Sequence, residues 1–223
     1  MRAVSWNAQH GRPNPDGEPD IGRAVAPLRA LQGDVYAIQE LDRGRRRSGR
    51  ADQPQALAGG LGAELMWAPA LERGGQYGVA LVVRGEVMRS RVVALPGWGE
   101  PRVAVVAEVA VAGERWTVAC THLSTSGSVA RRQLVAVFDE LAGWPLPRVL
   151  LGDLNLSSPA VLPWSSAEGY QLVTGPPTHS TRQAAPTTRI DHVLVAGATV
   201  ESAAVHDLPV SDHRAVSADL RSI

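Results

Sequence analysis

Six short polar clusters interrupt apolar runs along this chain, and their side chains are the ones that phosphate ester chemistry needs. Gly152-Asp153-Leu154-Asn155 follows Arg148-Val149-Leu150-Leu151 directly. Side chains alternate along a strand, so continued strand geometry puts Asp153 and Asn155 on one side and Leu154 in the core. Standing alone, the cluster reads equally well as a strand end closed by an Asx-turn. It does not stand alone. Ala3-Val4-Ser5-Trp6 runs into Asn7, Val35-Tyr36-Ala37-Ile38 into Gln39-Glu40, and Trp116-Thr117-Val118-Ala119-Cys120 into Thr121-His122. Arg189-Ile190-Asp191-His192 opens a further apolar run, and Val210-Ser211-Asp212-His213 follows later.

Hydrolysing a phosphate ester takes a hard cation on the phosphoryl oxygens, an aligned and deprotonated water, and stabilisation of the leaving oxygen. Glu40 and Asn7 offer oxygen ligands of the kind that suit Mg²⁺, or Mn²⁺ in its place. Asp191 is the better candidate to hold the Nδ1 proton of His213, because Asp212 is a strand neighbour pointing to the opposite face. That leaves His213 Nε2 as a base, with Asp153 an equally good alternative. His122 is a second imidazole, suited to bind a non-bridging oxygen or to protonate the leaving group. Arg43, Arg45, Arg46, Arg47 and Arg50 crowd the stretch after Glu40. That stretch reads as a solvated flexible loop, with a phosphate-contacting rim that includes Arg45 as the functional alternative. Arg102 is a similar phosphate-binding candidate. His10, His179, His192 and His206 read as structural or surface residues.

The elements that must carry these groups are mainly strands. Alternating or continuous apolar runs mark strands near 2–7, 34–39, 63–69, 77–83, 87–95, 102–111, 114–121, 148–152, 170–173, 190–195, 199–206 and 213–220. Helices are expected over 21–31, where Pro27 implies a kink, over 53–61, and over 129–141 with Ser128 as N-cap. Gly-Pro-Asn-Asp loops are expected at 11–20 and 175–186. Many short strands with a few helices between them predict two packed sheets flanked by helices in one α/β domain spanning 1–223.

The chain has 223 residues, with hydrophobic content of 44% and a formal net charge of zero. Zero charge argues against a surface that coats long nucleic acid by bulk electrostatics. All 22 basic residues are Arg, a bias from which no partner follows. The single Cys120 excludes an intramolecular disulfide and fits a reducing compartment. No signal-peptide pattern or long apolar run is present, so a cytoplasmic location is expected and a membrane span is not.

Taken in order, Ser5-Trp6-Asn7, Gln39-Glu40, Thr121-His122-Leu123, Gly152-Asp153-Leu154-Asn155, Ile190-Asp191-His192 and Ser211-Asp212-His213 resemble the endonuclease/exonuclease/phosphatase superfamily, with its deoxyribonuclease-I-like fold. The resemblance implies a four-layered sandwich of two mixed sheets with helices outside, and a site at one end of the sandwich. By the same resemblance Glu40 is the metal ligand, Asn7 its close neighbour, and His122 the first histidine. Asp153 and Asn155 are then the pair aligning water and phosphate, Asp191 and His213 the carboxylate–imidazole pair, and Asp212 the acidic residue beside it, counted with the metal site.

Two departures stand out. Gln9 occupies a position where abasic-site endonucleases carry a carboxylate. Gln76 stands where the pancreatic-nuclease branch has a glutamate partner for the first histidine. A neutral partner raises an imidazole pKa less than a carboxylate does, which makes His122 a hydrogen-bond donor rather than a strong acid. The expected activity is Mg²⁺- or Mn²⁺-dependent hydrolysis of a phosphodiester, with nucleic acid among the candidate substrates and no obligate protein partner indicated. A phosphomonoesterase, a lipid phosphodiesterase of the sphingomyelinase or inositol-phosphatase kind, and a non-catalytic phosphate-binding protein are the alternatives.

Overall fold

The computed structural model describes residues 1–12, 18–180 and 185–223. Among these residues twelve strands form two sheets. In chain order they are β1 (Arg2–Asn7), β2 (Val35–Arg43), β3 (Glu64–Leu71), β4 (Gln76–Val83), β5 (Glu86–Ala94), β6 (Val103–Val111), β7 (Glu114–His122), β8 (Arg148–Asp153), β9 (Gln171–Leu172), β10 (Asp191–Ala196), β11 (Ala198–His206) and β12 (Ala215–Ser222). One six-stranded sheet has the order β11-β12-β1-β2-β4-β3, the other β5-β6-β7-β8-β10-β9. Both are mixed: β1 and β2 are parallel, as are β7 and β8, and the remaining pairs are antiparallel.

The alternation legible in the sequence sorts residues into layers. Along β6, Val103, Val105, Ala107 and Val109 face the core between the sheets. Ala104 and Val106 face outward, where they pack with Leu134, Val137 and Phe138 of helix α3 (Gly127–Ala142). On the other sheet, Val4, Trp6, Tyr36 and Ile38 point outward to Leu28 of α1 (Val25–Ala30) and Leu57 and Leu61 of α2 (Gln53–Leu61). Strands buried on both faces read as near-continuous apolar runs, which is why the expected four layers are the observed ones. Leu134 is fully buried, so Leu134→Ala is expected to cost about 2–5 kcal/mol in a denaturant titration. A loss below about 1 kcal/mol would mean that α3 rests loosely on its sheet.

The helices need three corrections. The segment expected as a kinked helix over 21–31 divides into a 3-10 turn, Ile21–Ala24, and α1. Pro27 sits in the first turn of α1, where a backbone N–H has no partner to lose. Ser128 is not the cap of α3. That helix starts earlier, with Ser126 at its N-cap position and no side-chain cap bond. A fourth helix, α4 (Ser158–Ala167), was hidden by Pro159 and Pro163. The first proline lies in the opening turn, and the second removes only one ladder bond. The loops expected at 11–20 and 175–186 lie partly outside the described residues. Among the described residues no helix is long and apolar enough to cross a membrane.

Candidate active site

Strand register assembles the site. The parallel pairing of β7 and β8 puts His122 opposite Asp153, and the antiparallel pairing of β10 and β8 puts Asp191 opposite Asp153. Three titratable side chains therefore stand in a row across three strands. Gly152 permits this closeness, since a Cβ there would lie 2.1 Å from Thr121 O. From the other sheet, Asn7 ends β1 opposite Gln39 of β2, and Glu40 follows.

Glu40 is turned out of its ladder by a positive φ of 56° and by an irregular register between Ile38 and Leu41. Gln9 (φ 44°), His10 (φ 45°) and Asn155 (φ 50°) share this left-handed backbone. Such conformations cost non-glycine residues about 1–3 kcal/mol and collect at functional sites. The segment Ser211-Asp212-His213 hangs on β1: Ser211 Oγ donates to Asn7 O at 2.6 Å and Trp6 Nε1 to His213 O at 3.3 Å.

Asp153 is the meeting point. Its Oδ2 accepts from Asn7 Nδ2 at 3.0 Å and lies 3.4 Å from His122 Nε2 and 3.9 Å from His213 Nε2. Its Oδ1 accepts from Asn155 N at 2.9 Å. This last bond corrects the strand argument. β8 ends at Asp153, and Asn155 reaches the site through an Asx-turn, so the turn and the site are one feature. Asn155 Nδ2 donates to Leu123 O at 2.9 Å and lies 3.1 Å from His122 Nε2. Burial raises the Asp153 carboxyl above its ordinary range, helped by the Asp191 charge and opposed by His213 and Asn7.

His213 Nδ1 contacts Asp191 Oδ2 at 2.9 Å and Oδ1 at 3.1 Å, the pairing expected from sequence. Burial favours neutral His213, yet Asp191, Asp153 and Asp212 together overcome it and push the imidazole up to about 10. Burial likewise works against an ionised Asp191, and His213 with Thr178 outweighs it to lower that carboxyl.

Asp212 lies on this side of the site, its Oδ1 3.9 Å from His213 Nε2 and its Oδ2 3.8 Å from His179 Nε2. His179, expected to be structural or at the surface, packs against His213 with ring centroids 4.4 Å apart and the rings tilted by 40°. Two groups of ligand atoms here stand close enough to share an ion: His179 with Asp212 and His213, and Asp153 with Asp191 and His213.

Glu40 Oε1 accepts from Asn7 Nδ2 at 3.0 Å, and its Oε2 is 3.7 Å from His10 Nδ1. His10 thus joins the site as well. Burial raises the Glu40 carboxyl, but His10, Asn7 and His213 prevail and hold it ionised at about 2. Asn7 is corrected in detail. Its amide nitrogen serves two carboxylates and so spaces Glu40 from Asp153, while its Oδ1 accepts from Gln9 N at 3.0 Å with one lone pair and keeps the other.

The arginine expectations change most. Arg102 is buried, with Nη1 3.0 Å from His122 Nδ1 and 3.2 Å from Glu100 Oε1. It stands behind the imidazole instead of at a phosphate rim. Gln76 is not the partner of His122: it accepts from Trp67 Nε1 at 3.0 Å and donates to Glu72 at 3.3 Å. Burial, then the Arg102 charge, lowers His122 to about 3.

The stretch after Glu40 is tied down by ion pairs. β2 runs on to Arg43, which pairs with Asp52 at 3.0 Å. Arg45 lies 3.9 Å from Asp42 Oδ1 and over the Tyr77 ring. Arg47 holds the buried Asp42 with bonds of 2.7 and 2.8 Å. Arg47→Ala leaves that carboxylate short of its charged donors and is expected to cost about 1–3 kcal/mol in thermal or urea unfolding. An unchanged midpoint would mean that Arg45 alone satisfies Asp42. Among the remaining imidazoles, His192 is buried against Leu156 O at 2.8 Å and His206 meets Ser217 Oγ at 2.8 Å, both in structural positions as expected.

A family model described as endonuclease/exonuclease/phosphatase family matches residues 4–213. Among solved structures, an endonuclease/exonuclease/phosphatase from Beutenbergia cavernae superposes with a TM-score of 0.79 at 24% identity, covering 100% of this chain and 71% of that one. A protein of the same description from Bacteroides vulgatus gives 0.81 at 20% identity, covering 100% and 99%. The human Nocturnin catalytic domain with bound sulfate gives 0.76 at 20%, covering 100% and 93%. At these identities the likeness establishes the fold. No curated protein matches the sequence significantly.

Proposed function

Since the chain belongs to the endonuclease/exonuclease/phosphatase family, whose members are phosphoesterases, we propose that it is a divalent-metal-dependent phosphodiesterase that attacks phosphorus with an activated water and acts on nucleic acid or a smaller diester. One observation carries the reading: Asp153 Oδ2 stands where Asn7, His122 and the Asp191-held His213 converge.

Asp153 takes the water's proton. Its environment raises its proton affinity, which suits a base working near neutrality. The new oxygen–phosphorus bond forms as the ester bond breaks, and the leaving oxygen departs with the bonding pair. His213 is the less suitable base because three carboxylates keep it charged. It acts instead as an imidazolium whose Nε2–H donates to a phosphoryl oxygen, while Asp191 fixes its ring.

Glu40 is the residue that fits a metal. It is an ionised oxygen donor spaced from Asp153 by the Asn7 amide, the chemistry that Mg²⁺ or Mn²⁺ favours. Such an ion supplies charge neutralisation at the phosphoryl and leaving oxygens.

Bis-(4-nitrophenyl) phosphate with Mg²⁺, Mn²⁺ or chelator tests the proposal. Metal-dependent release of nitrophenolate is expected, and none with any divalent ion across a metal panel overturns it. Plasmid nicking compared with release from lipid or inositol phosphate esters separates the substrate classes. The pH dependence is a second check. Activity should rise as Asp153 loses its proton and fall as His213 loses its own near about 10. Asp191→Asn should move the alkaline limb down, because His213 loses its nearest counter-charge. A fully active, folded Asp191→Asn with an unshifted limb would dismantle the pair.

A further inference from the structure

An arginine carries only N–H donors and has no lone pair to accept with. With Nη1 of Arg102 3.0 Å from His122 Nδ1, that ring nitrogen must present its lone pair. A neutral imidazole then carries its hydrogen on Nε2, at the opposite edge of the ring. There it faces Asp153 Oδ2 at an ion-pair distance of 3.4 Å and the Asn155 amide nitrogen at 3.1 Å. That nitrogen carries two hydrogens, one engaged with Leu123 O at 2.9 Å and one competing for Nε2, so a donor faces each ring nitrogen and the charged, nearer guanidinium decides between them.

We propose that Arg102 is a positioning residue: it locks His122 in the Nε2–H tautomer, against the pull of the Asn155 amide, and turns that hydrogen toward the Asp153 carboxylate. The opposite arrangement, with Nδ1–H facing a guanidinium, sets donor against donor. A charged imidazole would face the same conflict. His122 is therefore a fixed donor toward the base and not the acid for the leaving group.

The surroundings hold this geometry. Glu100 anchors the guanidinium at 3.2 Å. Gln133 of α3 donates to Pro96 O at 3.0 Å and accepts from Ser124 N at 2.8 Å. It thereby clamps the segment leading to Arg102 against the segment leaving His122. The charges that face His122 from other elements are Glu40, Asp153, Asp191 and His213. The carboxylates among them favour a second ring proton, and burial with Arg102 outweighs them.

The catalytic consequence rests on the reading of Asp153 as base, whereas the tautomer does not. Long-range proton–nitrogen correlation spectra of ¹⁵N-histidine-labelled protein read the tautomer without any substrate, with His122 assigned by its loss in His122→Asn. The expected result is a protonated Nε2 and a bare Nδ1 at neutral pH. A protonated Nδ1, alone or in an imidazolium, overturns the lock whatever the activity. Arg102→Lys should keep the tautomer, because lysine also only donates. Arg102→Gln offers an amide oxygen and should admit the Nδ1–H form. That variant should also lose about 10–100-fold in kcat, the usual cost of losing an orienting partner, with KM little changed. An unchanged tautomer in folded Arg102→Gln overturns the proposal, and the wild-type and Lys spectra decide it if that variant does not fold. A correct tautomer in a protein that hydrolyses no phosphodiester supports the lock and defeats the proposed function.

Discussion

Asp153→Asn is expected to lower kcat on a small diester by about 10²–10⁴, the contribution of a positioned general base. The substitution is nearly isosteric, and the geometry lets the interpretation be checked bond by bond. An amide placed with its oxygen at the Oδ2 position still accepts from Asn7 Nδ2, at 3.0 Å in the wild type, and still faces His122 Nε2 at 3.4 Å. Its nitrogen then replaces Oδ1, which accepts from Asn155 N at 2.9 Å. Two donors meet there, so the turn that carries Asn155 loosens.

The variant should remain folded, because Leu154 and Leu156 on either side of Asn155 stay buried in the core beneath α3. The pH profile separates a lost base from a disturbed turn. Loss of the base removes the acidic limb along with the rate. Disturbance of the turn alone, as in Asn155→Ala, lowers the rate and leaves that limb in place. A folded Asp153→Asn protein with near wild-type turnover would transfer the role of base to His213, despite the three carboxylates that keep its imidazole charged.

How much of this was legible in the sequence differs from residue to residue. The strands were legible because most are buried on both faces or alternate strictly, and either pattern survives without tertiary information. The clusters at strand ends were legible for the same reason: the abrupt change from Leu151 to Asp153 or from Cys120 to His122 marks where a core strand meets the site. Helix α4 was not, since Pro159 and Pro163 suppress the local signal while packing of Val161 sustains the helix.

His10 and His179 were missed because nothing in their neighbourhoods sets them apart. One enters the site through a left-handed turn three residues after Asn7 and the other by packing its ring against His213. The exchange of Gln76 for Arg102 behind His122 was likewise beyond one-dimensional reading. Arg102 comes from an irregular segment before β6, and only the pairing of β6 with β7 brings it there. Asp42 could have been found. A carboxylate directly after Leu41, followed within five residues by Arg45 and Arg47, fits a buried charge with its counter-ions, and the loop is then tied down by those pairs.

Glu40→Gln should weaken Mg²⁺ or Mn²⁺ binding by at least about 10–100-fold, the range seen when even an outer partner of a metal site is removed. The argument begins with charge. Burial opposes ionisation of Glu40, yet His10, Asn7 and His213 hold it ionised at about 2, so a negative charge is present at neutral pH. Glutamine keeps the shape and the acceptor for Asn7 Nδ2, which lies 3.0 Å from Oε1, and removes that charge.

The sign for stability follows from the same shift. A carboxyl held below its unfolded value stabilises the fold above the unfolded pKa and loses that contribution as pH falls toward about 2. The variant should therefore lose part of its stability at neutral pH and none of it in strong acid. Isothermal titration of metal into both proteins, with circular dichroism to confirm folding, reads the binding effect directly. An identical titration in folded Glu40→Gln would remove Glu40 from the metal site. The ion would then belong with the carboxylates around His213, where Asp153, Asp191 and Asp212 place their oxygens within reach of one imidazole.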